Sequence, residues 1–279
     1  MRHVNAIVNE ADSFLRDMEI IEEMLANWTE QARKRIPEAI RHYEAVLDLA
    51  PNDLDAVVAL VRLWVERKQF ERAQHLLAQK LSDGSHRAEL YLVLGMLYRE
   101  AGAWMEALRA FERASTLAPK SAQAHFLIGA QLERLHQEAA AREELRRAIE
   151  LDPRHADALN YLGYMNAEDG VDLEEAKRLV QRALEVEPDN GAYLDSLGWV
   201  YFRMGDMDQA LAQLQHAVSM VATDPMIFEH LGDVYLAHGD IDHARQAWRK
   251  ALELDGNLEA IKQKLQRLPL APLLMPTPR

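Results

Sequence analysis

This sequence predicts an all-α chain of antiparallel helix pairs, and three observations carry that prediction. Ala39, Ala73, Ala107, Ala141, Ala176, Ala210 and Ala244 stand 34 residues apart, with a single step of 35 between Ala141 and Ala176. Gly95, Gly129, Gly163, Gly198 and Gly232 keep the same interval, with the extra residue again between 163 and 198. Pro51, Pro119, Pro153 and Pro188 close successive periods. A fixed period of this length marks one supersecondary unit stacked on copies of itself.

Each period reads as two helices. In AELYLVLGMLYREAGAWMEALRAFERASTLAPK, residues 88–120, Tyr91, Leu94, Gly95 and Tyr98 form one i, i+3, i+4, i+7 stripe. Ala107, Leu108, Phe111 and Ala114 form a second stripe after a turn at Gly102, and Pro119 ends it. The glycines cost helix propensity, about 1 kcal/mol each, so their recurrence implies a place where a neighbouring helix comes too close for a side chain.

The Leu-Gly, Tyr, Ala, aromatic and Pro positions resemble the 34-residue signature of the tetratricopeptide repeat. That resemblance implies an all-α, right-handed solenoid of antiparallel helix pairs with a C-terminal capping helix. It assigns residues 1–53 to an N-terminal helix plus a degenerate first unit, whose second helix is IPEAIRHYEAVLDLAP. Six units follow at 54–87, 88–121, 122–155, 156–190, 191–224 and 225–258. A capping helix is expected over 259–268, and a Pro-rich, extended and mobile tail over 269–279. Two departures stand out: Val61 replaces the glycine in the second unit, and MNAEDGVDLEEA lengthens the turn of the fifth.

The run from LNYLGYMNAEDG through DSLGWVYFRMGD to FEHLGDVYLAHGD, within residues 156–258, also resembles the C-terminal part of long tetratricopeptide lipoproteins of the Gram-negative envelope. That implies a bacterial adaptor of envelope machinery. The chain has no cysteine and no evident export signal, which fits a cytoplasmic protein as written. A periplasmic or envelope-associated site fits if Met1 starts a trimmed segment, and the sequence leaves the compartment open.

Charge narrows the partners. Residues 156–258 carry 19 acidic and 7 basic side chains, against 25 and 21 in residues 1–155 and 1 and 4 in the last 21. An acidic half lacks the basic footprint that nucleic acid requires, and it favours a basic or donor-rich protein or peptide. No apolar run approaches the roughly 18 residues needed to span a bilayer. Walker and GxGxxG patterns are absent and the eleven histidines are scattered, so neither an enzyme, a metal site nor a cofactor is expected. The nearest histidine groupings are His230 with Asp233 and His238 with His243.

In tetratricopeptide arrays the second stripe of each first helix lines the ligand groove. Carried onto this chain, that places Asn160, Tyr164, Asp195, Trp199, Phe202, Arg203, Glu229 and Asp233 along the groove of the last three units. Aromatic rings among hydrogen-bonding groups are the composition of a peptide-binding hot spot. Trp199 and Phe202 read equally as filling against the next unit's first helix. Relatives that clamp a C-terminal carboxylate use lysine, asparagine and arginine. The equivalent pairs here, from Val58/Arg62 through Asn160/Tyr164 to Glu229/Asp233, form no basic cradle. The function expected is therefore a non-enzymatic scaffold or adaptor that holds a partner's extended or helical segment. The alternative is a self-assembling oligomer, built through the heptad-like seam Val4, Val8, Ala11, Leu15 and Met18 and through the tail.

Overall fold

The structure is a computed structural model and describes residues 35–84 and 87–268. The N-terminal seam and the Pro-rich tail, on which the self-assembly expectation rests, lie outside the described residues. Among the described residues there are fourteen helices and no strand. The first, α1, runs over 35–49. The chain divides into two compact units, one ending at Leu117 and the other beginning at Ala118.

The first unit holds α1, α2 (Leu54–Glu66), α3 (Phe70–Asp83), α4 (Arg87–Glu100) and α5 (Trp104–Leu117). Val57, Leu60, Val61, Trp64, Leu77, Leu90 and Leu97 form one apolar core there. Val61, which stands in the glycine position, is part of that core.

The second unit holds three helix pairs and more. These are α6 (Ala122–Arg134) with α7 (Glu138–Leu151), α8 (Ala156–Asp169) with α9 (Leu173–Val186), and α10 (Gly191–Met204) with α11 (Met207–Met220). A fourth pair, α12 (Pro225–His238) with α13 (Ile241–Leu254), is followed by α14 (Glu259–Arg267).

Local chemistry starts and stops these helices. Asn190 accepts hydrogen bonds from the backbone N–H groups of Ala192 and Tyr193, and Asp206, Asp224 and Asp240 cap the following helices in the same way. Each such cap is worth about 1 kcal/mol. Gly205 and Gly239 end α10 and α12 with φ of 82° and 89°, the left-handed conformation that glycine adopts without a steric penalty. The longer turn of the fifth unit is accommodated after Gly170 by Val171, half exposed, and by Asp172 at φ 46°.

The recurring alanines are the points of closest packing. Ala73, Ala107, Ala141, Ala176, Ala210 and Ala244 are all at 0% exposure. Opposite them lie the recurring glycines. A Cβ placed on Gly198 would sit 2.7 Å from Leu214 Cγ and 3.3 Å from the Ala210 carbonyl oxygen. The same crossing recurs at Gly163, where a Cβ would meet Val180 at 2.6 Å and the Ala176 carbonyl at 3.0 Å. The glycine therefore brings the first helix against the backbone of the second helix of its own pair. At the C-terminal end α14 buries Ile261 beside Phe228, Trp248 and Ala251, closing the last apolar face.

A Gly198→Leu variant is expected to lose about 1–3 kcal/mol through overpacking against Leu214. Chemical denaturation reads this directly, and an unchanged midpoint and slope would contradict the helix-crossing account.

Candidate functional site

The first helices α8, α10 and α12 lie side by side in the second unit. Their shared face carries all eight residues singled out from the sequence, and the structure sorts them into three groups.

The first group meets at His230, on α12. Its Nδ1 donates to the Asp195 carboxylate and lies 2.9 Å from both oxygens. Asp195 and His230 are 7% and 5% exposed, so the pair is shut away from water. Trp199 stacks on the imidazole, with ring centroids 4.4 Å apart and an interplanar angle of 24°. The Tyr164 ring lies 6.2 Å from the same imidazole. Trp199 therefore points toward the next first helix, half-buried, with Phe202 against it at 4.9 Å. Phe202 also packs on the Leu231 and Val234 cluster, so most of its role is filling.

The second group meets at Lys264, on α14. Its ammonium donates to Glu229 at 2.8 Å and to both oxygens of Asp233 at 2.7 Å. Trp248 adds an indole N–H bond to Asp233 Oδ1 at 3.1 Å, and its ring lies 5.6 Å beneath the ammonium. Burial opposes the charge on Lys264, but the bonds and charges of Asp233 and Glu229 outweigh it and raise its pKa. The carboxylates of Asp195, Glu229 and Asp233 are thus compensated within the chain.

Arg203 and Asn160 stand apart from both clusters. Arg203 donates to the backbone carbonyl of Glu168, where it satisfies the C-terminal turn of α8. Asn160 is half-buried, and its Oδ1, fully covered, accepts no hydrogen bond. Trp199 Nε1 is likewise covered and without an acceptor. A buried polar atom left unpaired costs about 1–3 kcal/mol, so both atoms are held there at the expense of stability.

An open recess of about 350 Å³ is lined by Tyr161, Tyr164, Glu133, Glu138, Glu168 and Asp169, with Arg142 and Met165, and Asn160 is not part of its lining. Arg142 is engaged with Asp169 and the Met165 carbonyl, and Tyr161 donates to Glu133 at 3.0 Å. Burial, and then the Glu168 and Asp195 charges, push the Tyr164 hydroxyl above its ordinary value of 10.0, so it remains a donor, bonded to Glu168. The recess is therefore lined by four carboxylates and a single guanidinium. The first compact unit has a more apolar recess, about 470 Å³, lined by Val58, Val61, Val65, Val93, Met96 and Leu97 together with Arg62, Glu66, Arg99 and Glu100.

Sequence reasoning missed His230 and Lys264 as partners of the groove carboxylates. The signal was present in the period: His230 lies 35 residues after Asp195, and Lys264 lies 35 residues after Glu229. His243 instead pairs with Asp240 and stacks on Tyr235. Among the described residues no three His, Asp or Glu side chains are grouped as a metal site, and no helix is long and apolar enough to cross a membrane.

The His230–Asp195 pair makes stability depend on pH. Burial alone would depress the imidazolium, but the hydrogen bond and charge of Asp195, then the charges of Asp233 and Glu168, raise it above the ordinary 6.5. A raised folded-state value means that the contribution is complete below pH 6.5 and is lost as pH rises through that value. The thermal stability of the wild type relative to His230→Gln is expected to be greatest below pH 6.5 and to decline as the pH rises through the raised folded-state value. A difference that stays constant with pH would exclude a charged pair.

Comparison with known proteins places this geometry. Tetratricopeptide repeat profiles match residues 31–97, 92–135 and 132–170, and a tetratricopeptide repeat-like domain matches residues 165–269. A TPR repeat-containing protein of Pseudomonas aeruginosa is 28% identical over 140 residues, which is 50% of this chain and 24% of that protein. Anaphase-promoting complex subunit 3 of Schizosaccharomyces pombe is 25% identical over 61% of this chain and 25% of its own length. The chain thus spans about a quarter of the curated relatives it matches. Among solved structures, the Cut9–Hcn1 hetero-tetramer of the APC/C aligns with a TM-score of 0.68 at 21% identity, covering 84% of this chain and 46% of that one. PilW, a type IV pilus biogenesis factor, aligns with a TM-score of 0.64 at 18% identity, covering 76% and 97%. At these identities the structures speak for the fold. With its periodic helix pairs and contiguous profile matches, the chain belongs to the tetratricopeptide repeat family.

Proposed function

We propose that this protein is a non-enzymatic adaptor whose second compact unit holds an extended, basic segment of a protein partner along α8, α10 and α12. The observation that carries this reading is the acidic recess where Tyr161 and Tyr164 stand among Glu133, Glu138 and Glu168. Half-buried aromatic rings give contact area at low entropic cost, and an excess of carboxylates steers a cationic partner.

The bonds and burial described above support different roles for the eight residues expected in the groove. Asn160, Tyr164 and Trp199 are the proposed contacts. Asp195, Glu229 and Asp233, together with Phe202 and Arg203, hold the first helices in register by the bonds and packing described above. The family context points the same way. Similar folds occur in the Cut9–Hcn1 hetero-tetramer of the APC/C and in PilW, a type IV pilus biogenesis factor.

The test is a crosslinking pull-down from the native host, comparing the wild type with a Tyr164→Ala, Trp199→Ala variant whose circular dichroism matches. Loss of a specific partner from the variant is the expected result. Identical partners for both would move the function away from this face.

A further inference from the structure

Second helices in this chain carry three positions that close against the first helix of their own pair. The middle position holds Leu77, Phe111, Leu145, Val180, Leu214 and Trp248, none more than 1% exposed. In five of the pairs this is the side chain that a Cβ on the glycine of the first helix would meet. The recurring alanine stands four residues before it, at 0% exposure. Three residues after it stand Lys80, Ala114, Ala148, Ala183, Ala217 and Ala251, all buried.

The same three positions on α1 are not closed. Ala39, Tyr43 and Val46 lie one period before Ala73, Leu77 and Lys80. Ala39 is half-buried, Tyr43 is 36% exposed and Val46 is 37% exposed. The adjacent stripe of α1 is settled: Ile36, Ile40 and Leu47 pack into the apolar core of the first unit, and Glu44 pairs with Arg72 at 2.8 Å. The exposed stripe thus has the form of one that receives a first helix. Residues 1–34, outside the described residues, run directly into α1.

The 34-residue period picks a poor occupant from that segment. One period before Val57, Leu60, Val61 and Trp64, the buried face of α2, stand Glu23, Ala26, Asn27 and Glu30. Burying two carboxylates and an amide against Tyr43 and Val46 is costly. A step of 36 lands instead on Ile21, Met24, Leu25 and Trp28, four apolar side chains with the same i, i+3, i+4, i+7 spacing. The two extra residues fall in the turn between the helices, where the fifth unit also carries its one extra residue.

We propose that residues 18–30 form the first helix of this pair and lay Ile21, Met24, Leu25 and Trp28 over Ala39, Tyr43 and Val46 of the same chain. Leu25 takes the slot that glycine fills in the later pairs, as Val61 does in the second unit. An adjoining segment reaches this face at an effective concentration on the order of millimolar, which favours it over a second copy. The first unit then ends in a closed helix pair, and Ile21, Leu25 and Trp28 are spent inside the molecule rather than on self-association.

The chain has no cysteine, so engineered pairs report contacts without background. Leu25→Cys with Tyr43→Cys is made in the full chain, beside Asn27→Cys with Tyr43→Cys, and both are mildly oxidised and run on non-reducing gels. Across the glycine crossings a Cβ falls 2.3–2.8 Å from the facing side chain, so positions 25 and 43 come within disulfide reach. The expected result is an intramolecular disulfide from the Leu25 pair, with about tenfold less from the Asn27 pair, whose Cβ points away.

An intramolecular disulfide from the Asn27 pair at equal or greater yield would restore the 34-residue step and overturn the proposal. A disulfide between chains would give the face to a second copy, and no disulfide from either pair would leave it uncovered; each result overturns the proposal. Should the cysteine variants misfold, hydrogen exchange of the full chain decides. Leu25→Ser is expected to speed exchange across Tyr43 and Val46 about tenfold, while Asn27→Ser leaves it as in the wild type. Unchanged exchange in Leu25→Ser would overturn the proposal.

Discussion

Five successive helix pairs, from α4–α5 to α12–α13, are built on a crossing so close that a single methyl group does not fit. At Gly198 a Cβ would intrude on Leu214 and approach the Ala210 carbonyl, and Gly129 and Gly163 repeat that arrangement against Leu145 with Ala141 and Val180 with Ala176. Interiors packed to this density deform little, so the spacing within a pair is fixed by backbone contact rather than by adjustable side chains. Gly95 and Gly232 serve the same end differently, each receiving the flat ring of Phe111 or Trp248. Once one stripe of every first helix is committed to its own pair, only the adjacent stripe remains to bridge successive pairs or to meet a partner. The functional face is what the packing leaves over.

That remaining stripe carries most of the electrostatic cost of the fold. Residues 156–258 have a large acidic excess, yet the buried or half-buried carboxylates on the shared face are not left alone. His230 and Lys264 each neutralise one or two of them. Breaking a buried pair by removing one partner is far costlier than never forming it, so these cations lock the order of the helices. Exposed pairs such as Arg147 with Glu150 and Lys250 with Glu253 contribute about 0–1 kcal/mol each and decorate the outside. Four carboxylates, Glu133, Glu138, Glu168 and Asp169, face one recess with the single guanidinium of Arg142, and that local excess, rather than the acidic composition as such, is what the proposed docking rests on.

The fold was legible because it is periodic. Glycine, alanine and proline recur at one interval, and each has a steric reason that survives without knowledge of the neighbours. Even the lengthened turn at Gly170 to Asp172 showed as one extra residue. The site was legible only in part. The eight residues expected to line the groove sit on the first helices α8, α10 and α12, at positions that the period makes equivalent. Which of them are spent internally could not be seen, since that depends on the side chain arriving from the next unit. Asp195 read as a groove carboxylate until His230 was placed against it, and Glu229 and Asp233 until Lys264 arrived from the capping helix. Asn160 presented the opposite case: its significance lies in a missing donor, and the absence of a partner is a property of three dimensions. At Trp199 the packing half of the ambiguity became visible, because one face of the indole covers His230 while the residue stays half-buried.

The central claim is that a basic segment lies on the first-helix face of the second unit. The most direct measurement is site-specific photocrosslinking, with a photoreactive residue placed at Tyr164 in one preparation and at Ser219 in another, each irradiated with a capped, alternating lysine–glycine octapeptide. The account predicts a crosslinked peptide from position 164, competed away by unlabelled peptide, and none from position 219. Equal crosslinking at both positions, or crosslinking at 219 alone, would contradict it.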